Sequence, residues 1–215
     1  MDRAQATREL ILAAAERLYA EHGVLAVSNR QIGEAAGQGN NTAVGYHFGA
    51  RADLVRAIAR KHSARVEELR RHALADVGAA AGLREWVRCL VHPATEYLAT
   101  AGPPTWFARF TAQVMTVPSL RAVVAAETLA SPSLARTVDG LVRCLPELPP
   151  DVQAERSDMT RQLLIHTMAE RERALAEGGV TSRSSWREAA TGLTDALVGL
   201  WLAPVTRRDN GKERP

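Results

Sequence analysis

One short segment, residues 40–47, combines side chains that are suited to a defined chemistry. An asparagine can form two hydrogen bonds with an adenine edge, and a threonine can offer its hydroxyl to a base or its methyl group to thymine. Tyrosine and histidine, one helical turn later, suit phosphate oxygens. The segment therefore predicts a surface that reads DNA bases and holds the adjoining backbone. Its candidate contact residues are Asn40, Asn41, Thr42, Ala43, Gly45, Tyr46 and His47.

Three residues outside this segment could also meet phosphate. Ser28 and Arg30 lie at the start of a predicted helix, whose free N–H groups and positive dipole end favour anions. Arg51 begins a later, longer helix and could act in the same way. We therefore add these three side chains to the candidate DNA contacts.

Each of these signals also has an ordinary structural explanation. A Gly-Asn-Asn sequence is common in turns and helix caps, and an isolated His47 is more often structural than functional. Phe48 is expected in the core. The ordered combination of a capped helix, a Gly/Asn turn and Tyr46-His47-Phe48 is what favours a helix-turn-helix, whose second helix enters the major groove.

Helical periodicity predicts the elements that must position this segment. The first helix runs from about Ala4 to His22. The second begins after Ser28, with Gln31 three residues later completing a capping box. The third is short, is capped by Asn40 and includes Asn41 to Tyr46. A long fourth helix covers about residues 51–75.

The rest of the chain also reads as helices. They are expected from about Leu83, at 106–117, 119–130, 133–145, 151–177 and 185–203, the last with a second capping box formed by Ser185 and Glu188. Pro93 should kink or split the first of these. Since no segment alternates like a strand, the sequence predicts an all-α fold.

Composition narrows the class of protein. Residues 1–72 carry 11 Lys and Arg against 8 Asp and Glu, whereas the remaining residues are balanced, so the basic surplus coincides with the candidate DNA surface. Cys89 and Cys144 show neither a disulfide framework nor metal-ligand spacing. No apolar run is long enough for a membrane span and no signal peptide is evident, so a cytoplasmic protein without membrane contact is expected.

The N-terminal residues resemble the DNA-binding domain of TetR-family transcriptional regulators over roughly residues 5–60. The pieces that carry the resemblance are Thr7-Arg8-Glu9, Ile11, Ala14-Ala15, Gly23, Ile32, Ala35-Ala36-Gly37, Tyr46-His47-Phe48-Gly49, Arg51 and Leu54. Three positions depart from the family pattern: Gly45 replaces a frequent aromatic residue, the turn before Asn41 is one residue longer, and Ala50 replaces a capping serine.

The resemblance implies a three-helix head that binds DNA at residues 1–50 and a larger helical body at 51–205. It implies that the body binds a ligand and dimerises, and residues 206–215 are expected to be a disordered tail. The implied partners are a palindromic double-stranded operator, a small-molecule effector of unknown identity and a second copy of the chain. The implied function is a repressor that the effector releases from its operator, and no cofactor, metal or catalytic residue is expected.

Small residues recur at offsets of three and four along the last helix, where they could let two helices of a dimer approach closely. Packing within one chain would explain them equally well. The candidate dimer residues are Leu163, Ala189, Gly192, Ala196, Gly199, Leu200 and Ala203.

An aromatic cluster in the middle of the chain could line the effector pocket, since such pockets have apolar walls and few polar groups. These side chains could equally fill an ordinary core. The candidate pocket residues are Trp86, Leu90, Tyr97, Trp106, Phe107, Phe110, Gln113, Met115 and His166.

Other functions remain open at this point. A helical adaptor that binds protein instead of DNA would use the Asn-rich turn only as structure, and an activator would share the fold of a repressor. An enzyme is disfavoured, because no nucleophile elbow, phosphate loop or metalloprotease motif occurs.

Overall fold

The structure is a computed structural model that describes residues 3–39, 42–102 and 104–206. Over these residues every regular element is a helix, which confirms the predicted all-α fold. Within the same ranges, each helix is too short or too polar to cross a membrane. The helices are α1 (Arg3–His22), α2 (Asn29–Ala35), α3 (Ala43–Phe48), α4 (Arg51–Ala75), α5 (Leu83–Ala101), α6 (Phe107–Met115), α7 (Pro118–Leu129), α8 (Pro132–Arg143), α9 (Pro150–Ala176) and α10 (Trp186–Leu202). The predicted tail, residues 206–215, lies outside the described residues except for Thr206.

Most helix starts follow the local signals in the sequence. The capping box of α2 is complete, because the Ser28 hydroxyl accepts from the Gln31 N–H and the Gln31 side chain accepts from the Ser28 N–H. The second predicted box is only half formed. The Glu188 N–H donates to the Ser185 hydroxyl, but the Glu188 carboxylate accepts from Ser184 instead of Ser185.

The predicted start of α3 was wrong. The helix begins at Ala43 with Thr42 as its N-cap, and the Tyr46 N–H makes the first helical bond, 2.9 Å long, to the Thr42 carbonyl. The predicted cap Asn40 and its neighbour Asn41 lie outside the described residues. α3 is therefore a short helix that ends at Phe48 and is capped by Gly49, whose φ of 71° suits glycine.

The core of the head is continuous with that of the body. Ile11, Tyr19 and Val44 from the first three helices pack in one cluster with Phe110 of α6, Leu120 of α7 and their neighbours. The Tyr19 and Phe110 rings stack with their centroids 6.3 Å apart. Because these side chains share one core, the head is held against α6 and α7 as well as by α4.

Pro93 was expected to kink or split its helix, and the split is excluded, since α5 runs unbroken from Leu83 to Ala101. A proline has no N–H, so the Cys89 carbonyl one turn earlier loses its helical donor. The buried Arg70 of α4 supplies one instead, with its Nε 3.3 Å from the Cys89 carbonyl oxygen. A side chain of α4 thus supplies the hydrogen-bond donor that the backbone of α5 lacks at Pro93.

A second core lies between α5, α8 and α10. Trp86 is buried there against Gly140 of α8, and a Cβ on that glycine would stand only 2.3 Å from the indole ring. Leu193, Leu197 and Trp201 of α10 complete the cluster. α9 packs mainly along α6, where Ala169 of α9 and Ala108 of α6 belong to one small hydrophobic cluster.

Candidate nucleic-acid interface and body cavity

The two faces of α3 differ sharply in burial. Val44 and Phe48 are 2% and 7% exposed and belong to the core of the head. Tyr46, on the opposite face, is 86% exposed, and Gly45 beside it is exposed as well. His47 is half-buried and its ring lies edge-on to that of Tyr46, at 5.2 Å between centroids. The inner face therefore anchors α3, while the outer face makes no contribution to the core.

The predicted base-reading residues are only partly described. Asn40 and Asn41 lie outside the described residues, so their pairing with base edges stays a prediction. Thr42 is exposed at the N-terminal end of α3, and Ala43 is half-buried directly after it. The N-terminal end of the short helix is thus at the surface, as a helix that probes a groove requires.

The start of α2 carries the predicted phosphate contacts Ser28 and Arg30, and both are exposed. Ser28 is exposed, and its hydroxyl donates to the Gln31 side chain at 2.8 Å. The Arg30 side chain is 67% exposed and lies 3.3 Å from the Glu34 carboxylate. An exposed ion pair of this kind is weak, so Arg30 can exchange its partner for phosphate at little cost.

Arg51 has a different environment from the one expected. It is half-buried, and its guanidinium donates to the Val27 carbonyl at 3.0 Å. Burial raises the pKa of the Tyr19 phenol, and the nearby Arg51 guanidinium acts in the opposite direction by lowering it. These contacts tie the start of α4 to the loop before α2, so Arg51 positions the head, and its contact with phosphate stays a prediction.

The structure also places a basic side chain of α1 beside α3. The Arg8 guanidinium of α1 lies 4.6 Å from the centroid of the Phe48 ring, at the C-terminal end of α3. Arg8 stands within Thr7-Arg8-Glu9, a sequence that does not by itself indicate contact with α3. Arg8 brings a positive charge to the helix that carries Tyr46.

A cavity of about 140 Å³ lies in the body between α4, α5, α6, α7 and α9. It is lined by Ser63, Val66, Arg70, Ala94, Leu98, Phe107, Ala108, Thr111, Thr128, Ser131, Ile165 and Met168. Among the nine predicted pocket residues, Phe107 alone lines it. Aromatic enrichment in the sequence indicated one wall, whereas the other walls come from residues of five helices whose convergence no local pattern indicates.

The other predicted pocket residues lie elsewhere for identifiable reasons. Trp106, Phe110 and Met115 pack in the core shared with the head, and the Gln113 amide oxygen lies beside Gly23 of the head. Trp86 and Leu90 belong to the second core, and His166 is exposed on α9. The alternative that these side chains fill ordinary cores therefore describes most of them.

Tyr97 lies next to the cavity as part of a buried polar chain that sequence analysis did not anticipate. Its hydroxyl is 2.6 Å from Nδ1 of His62, and Nε2 of that histidine is 2.9 Å from the Glu16 carboxylate. Phe107 stacks on the His62 ring at 4.2 Å between centroids. Burial, together with Glu16 and Glu172, raises the pKa of Tyr97. The chain joins α5 to α4 and to α1 of the head.

The small residues of α10 lie on its outer side. Ala196, Gly199 and Ala203 are exposed, while Ala189 and Gly192 are half-buried, the latter against the Arg183 side chain. Ala196 and Leu200 form a shallow groove with Met159, Gln162 and Leu163 of α9. The neighbouring Leu193 and Leu197 are buried, as the alternative of packing within one chain requires. The outer row formed by Ala196, Gly199 and Ala203 is exposed.

Two family models match the sequence. The model described as "Bacterial regulatory proteins, tetR family" matches residues 11–58, which contain α2, α3 and the start of α4. The model described as "Tetracyclin repressor-like, C-terminal domain" matches residues 88–199, more than half of the 215 residues. No curated protein matches the chain.

Several solved structures share the fold over nearly the whole chain. A TetR family transcription regulator from Marinobacter aquaeolei VT8 has a TM-score of 0.56 and 17% identity, over 90% of this chain and 96% of its own. AmtR from Mycobacterium smegmatis has a TM-score of 0.55 and 20% identity, over 88% and 85%. LfrR from the same organism, solved in complex with proflavine, has a TM-score of 0.53 and 21% identity, over 96% and 100%. At such identities the likeness establishes the fold.

Proposed function

The chain belongs to the TetR family of bacterial transcriptional regulators, and from this premise we propose that it is a repressor released by a small molecule. It binds a palindromic DNA operator as a homodimer in the cytoplasm. The proposed division of labour assigns DNA binding to residues 1–50 and effector binding and dimerisation to residues 51–205. Each step of this proposal rests on a different part of the structure.

The outer face of α3 carries the DNA-binding part of the proposal. Tyr46 is 86% exposed although it is a large aromatic residue, and the residues on either side of it, Gly45 and His47, leave it uncovered. A large aromatic side chain that stays in solvent contributes no hydrophobic burial to the fold. Such exposure is typical of a side chain that contacts a partner. We propose that Thr42, Ala43 and the two preceding asparagines read bases, while Tyr46, His47, Ser28 and Arg30 contact phosphate.

The outer row of α10 supports a homodimer. A C₂ dimer requires one patch that is complementary to itself, and small residues allow the two copies of α10 to approach closely. We propose that Ala196, Gly199 and Ala203 meet their equivalents at this interface, with Leu163 and Leu200 beside them. Two heads related by this axis would face two half-sites of one operator, which is why a palindrome is expected.

The cavity supports the effector-binding part. It lies beside Phe107, whose ring stacks on His62, and His62 faces Glu16 of the head. An occupant that moves Phe107 would therefore act on contacts that position α1. LfrR, which shares the fold, was solved with proflavine, and we propose that this chain likewise takes a small molecule. The shift in population between two head arrangements is set by the occupant's preference for one of them.

Binding to selected DNA tests the proposed function. Full-length protein is used to enrich duplexes from a random pool, and affinity for the winner and for a scrambled duplex of equal composition is measured by fluorescence anisotropy. The proposal predicts a preference of roughly 10³-fold or more for the selected duplex. It also predicts that log K falls with log salt at a slope of roughly −0.9 per phosphate contact. Equal affinity for both duplexes, or affinity independent of salt, would contradict it.

A further inference from the structure

We propose that the effector is a small organic anion, an aromatic or branched aliphatic carboxylate whose charged group binds Arg70 inside the body cavity. The regulatory role of the bound anion rests on the proposed function, whereas the binding site itself is inferred from the cavity. Four observations carry it: the burial of Arg70, the unused part of its guanidinium, the charge of the surrounding walls and the size of the space.

Arg70 is 8% exposed, although a buried arginine is costly unless it is paired. Its Nε donates to the Cys89 carbonyl, as described above. Among the described residues, its two terminal nitrogens make no hydrogen bond and no ion pair within 4 Å, and the residue lines the cavity. A guanidinium offers five N–H donors in a fixed fork that matches a carboxylate. The Nε–H of Arg70 therefore stabilises α5, whereas the donors on its two terminal nitrogens are available to a molecule in the cavity.

Charge near the cavity favours an anion. Arg70 is the one charged residue among the described residues that line it. Burial lowers the pKa of Arg70, and the Glu67 carboxylate only partly opposes that shift. The Glu67 carboxylate, however, already accepts hydrogen bonds from the hydroxyls of Ser131 and Ser133 and from the Ser133 N–H. An arginine stays protonated in proteins, so it presents an incompletely balanced positive charge to the space.

The remaining walls suit a compact apolar group. Leu98, Phe107, Ile165 and Met168 offer carbon surface, and the Ser63 hydroxyl can donate one further hydrogen bond. The hydroxyls of Thr111 and Thr128 already donate to the carbonyls of Phe107 and Val124. The cavity volume of about 140 Å³ is close to that of an engineered apolar cavity of about 150 Å³ that holds benzene. A single ring with one carboxylate, such as benzoate, is therefore the right size for a probe.

Calorimetric titration of the full chain with benzoate and with benzamide tests the charge. The two probes have nearly the same shape, and only the first carries a negative charge. Since hydrogen bonds to charged groups contribute roughly 1.5–3 kcal/mol, benzoate is expected to bind roughly tenfold to hundredfold more tightly than benzamide. Binding of both probes with equal affinity, or of neither, would overturn the inference.

A variant series tests the assignment to Arg70. Arg70→Met alone would leave the Cys89 carbonyl without a donor, so it is combined with Pro93→Ala, which restores the helical N–H at that point. Pro93→Ala alone should retain the preference for benzoate, whereas the double variant should lose it. Arg71→Met is the matched control, since Arg71 is exposed on the same helix. An unchanged preference in the folded double variant would overturn the assignment.

The titrations contain no DNA, so their result is independent of the proposed function. Benzoate binding that depends on Arg70 would uphold the anion site even if the protein ignored every duplex. Specific DNA binding without any preference for benzoate would leave the regulator intact and overturn the anion site. If both hold, benzoate added to the protein–operator complex should weaken DNA binding in the wild type and not in the double variant.

Discussion

The residues of α3 divide into those that hold the helix and those that face outward. Val44 and Phe48 are fixed in the core, and Tyr46 between them projects into solvent. The Tyr46 side chain therefore contributes little to the packing of the core. We therefore expect the Tyr46 hydroxyl to contact DNA.

Tyr46→Phe should weaken binding to every DNA sequence by a similar factor. The substitution deletes one hydroxyl at an exposed position, so a phosphate contact is lost while the fold is retained. Anisotropy with the selected duplex and its scrambled counterpart measures both affinities. A loss confined to the selected duplex would instead assign Tyr46 to base reading, and no loss on either would remove it from the interface.

Gly45→Ala should stabilise the protein. A glycine inside a helix costs about 0.5–1 kcal/mol relative to alanine, and a Cβ at position 45 would meet no atom within 4 Å. Urea unfolding should show a gain of this size. Gly140→Ala is the contrasting variant, because its Cβ would collide with Trp86 and should lower stability. A loss of stability in Gly45→Ala would show that this stretch of α3 is not helical.

At the scale of elements, α6 joins the head to the rest of the molecule. Its Phe110 packs on Tyr19 of the head, and its N-terminal turn is held by Glu172 of α9. The Glu172 carboxylate is 2% exposed and accepts from the Ala108 and Arg109 N–H groups and from the Arg109 side chain. A carboxylate at a helix N-terminus satisfies free N–H groups and complements the helix dipole.

Glu172→Gln should destabilise the protein strongly. The amide places an N–H₂ group where only donors point, and it leaves the half-buried Arg109 without its charged partner. Removal of one member of a buried pair costs about 3–5 kcal/mol, which urea unfolding can measure. Glu170→Gln, on the same helix, breaks only an exposed pair with Arg173 and should cost less than about 1 kcal/mol. Equal effects of the two changes would refute the role given to Glu172.

Sequence patterns predicted the elements well and their long-range contacts poorly. Ser28 with Gln31 fixed the start of α2, because a capping box is local. The start of α3 was missed, since its first helical bond comes from Tyr46 to Thr42 and no side chain marks it. The uninterrupted α5 could not be foreseen, because the donor that compensates for Pro93 comes from Arg70, 23 residues away in the chain. Most walls of the cavity were missed for the same reason, because they come from five different helices.

At the scale of the whole molecule, one chain leaves an apolar strip uncovered. Met159, Leu163 and Leu202 are 43%, 36% and 56% exposed on α9 and α10, around the small residues of α10. A large exposed apolar patch marks an interaction surface. A dimer through this strip would bury it and would set the distance between the two heads.

Ala196→Glu should convert the dimer to a monomer. The side chain is exposed in one chain, so folding should persist, while a C₂ interface would place two like charges together. Light scattering at micromolar concentration gives the mass, and circular dichroism checks the helix content. Thr191→Glu, exposed on a different side of α10, should remain dimeric. A dimeric Ala196→Glu variant, or a monomeric wild type, would show that this strip is not the interface.

Methylation protection on the selected duplex shows whether the protein binds DNA through the major groove. Dimethyl sulfate reacts at guanine N7, which lies in the major groove, where α3 is proposed to enter. The account predicts two protected clusters on one face of the DNA, with their centres roughly one helical turn or a multiple of it apart. Bound protein that leaves guanine N7 reactive throughout the site would contradict the account.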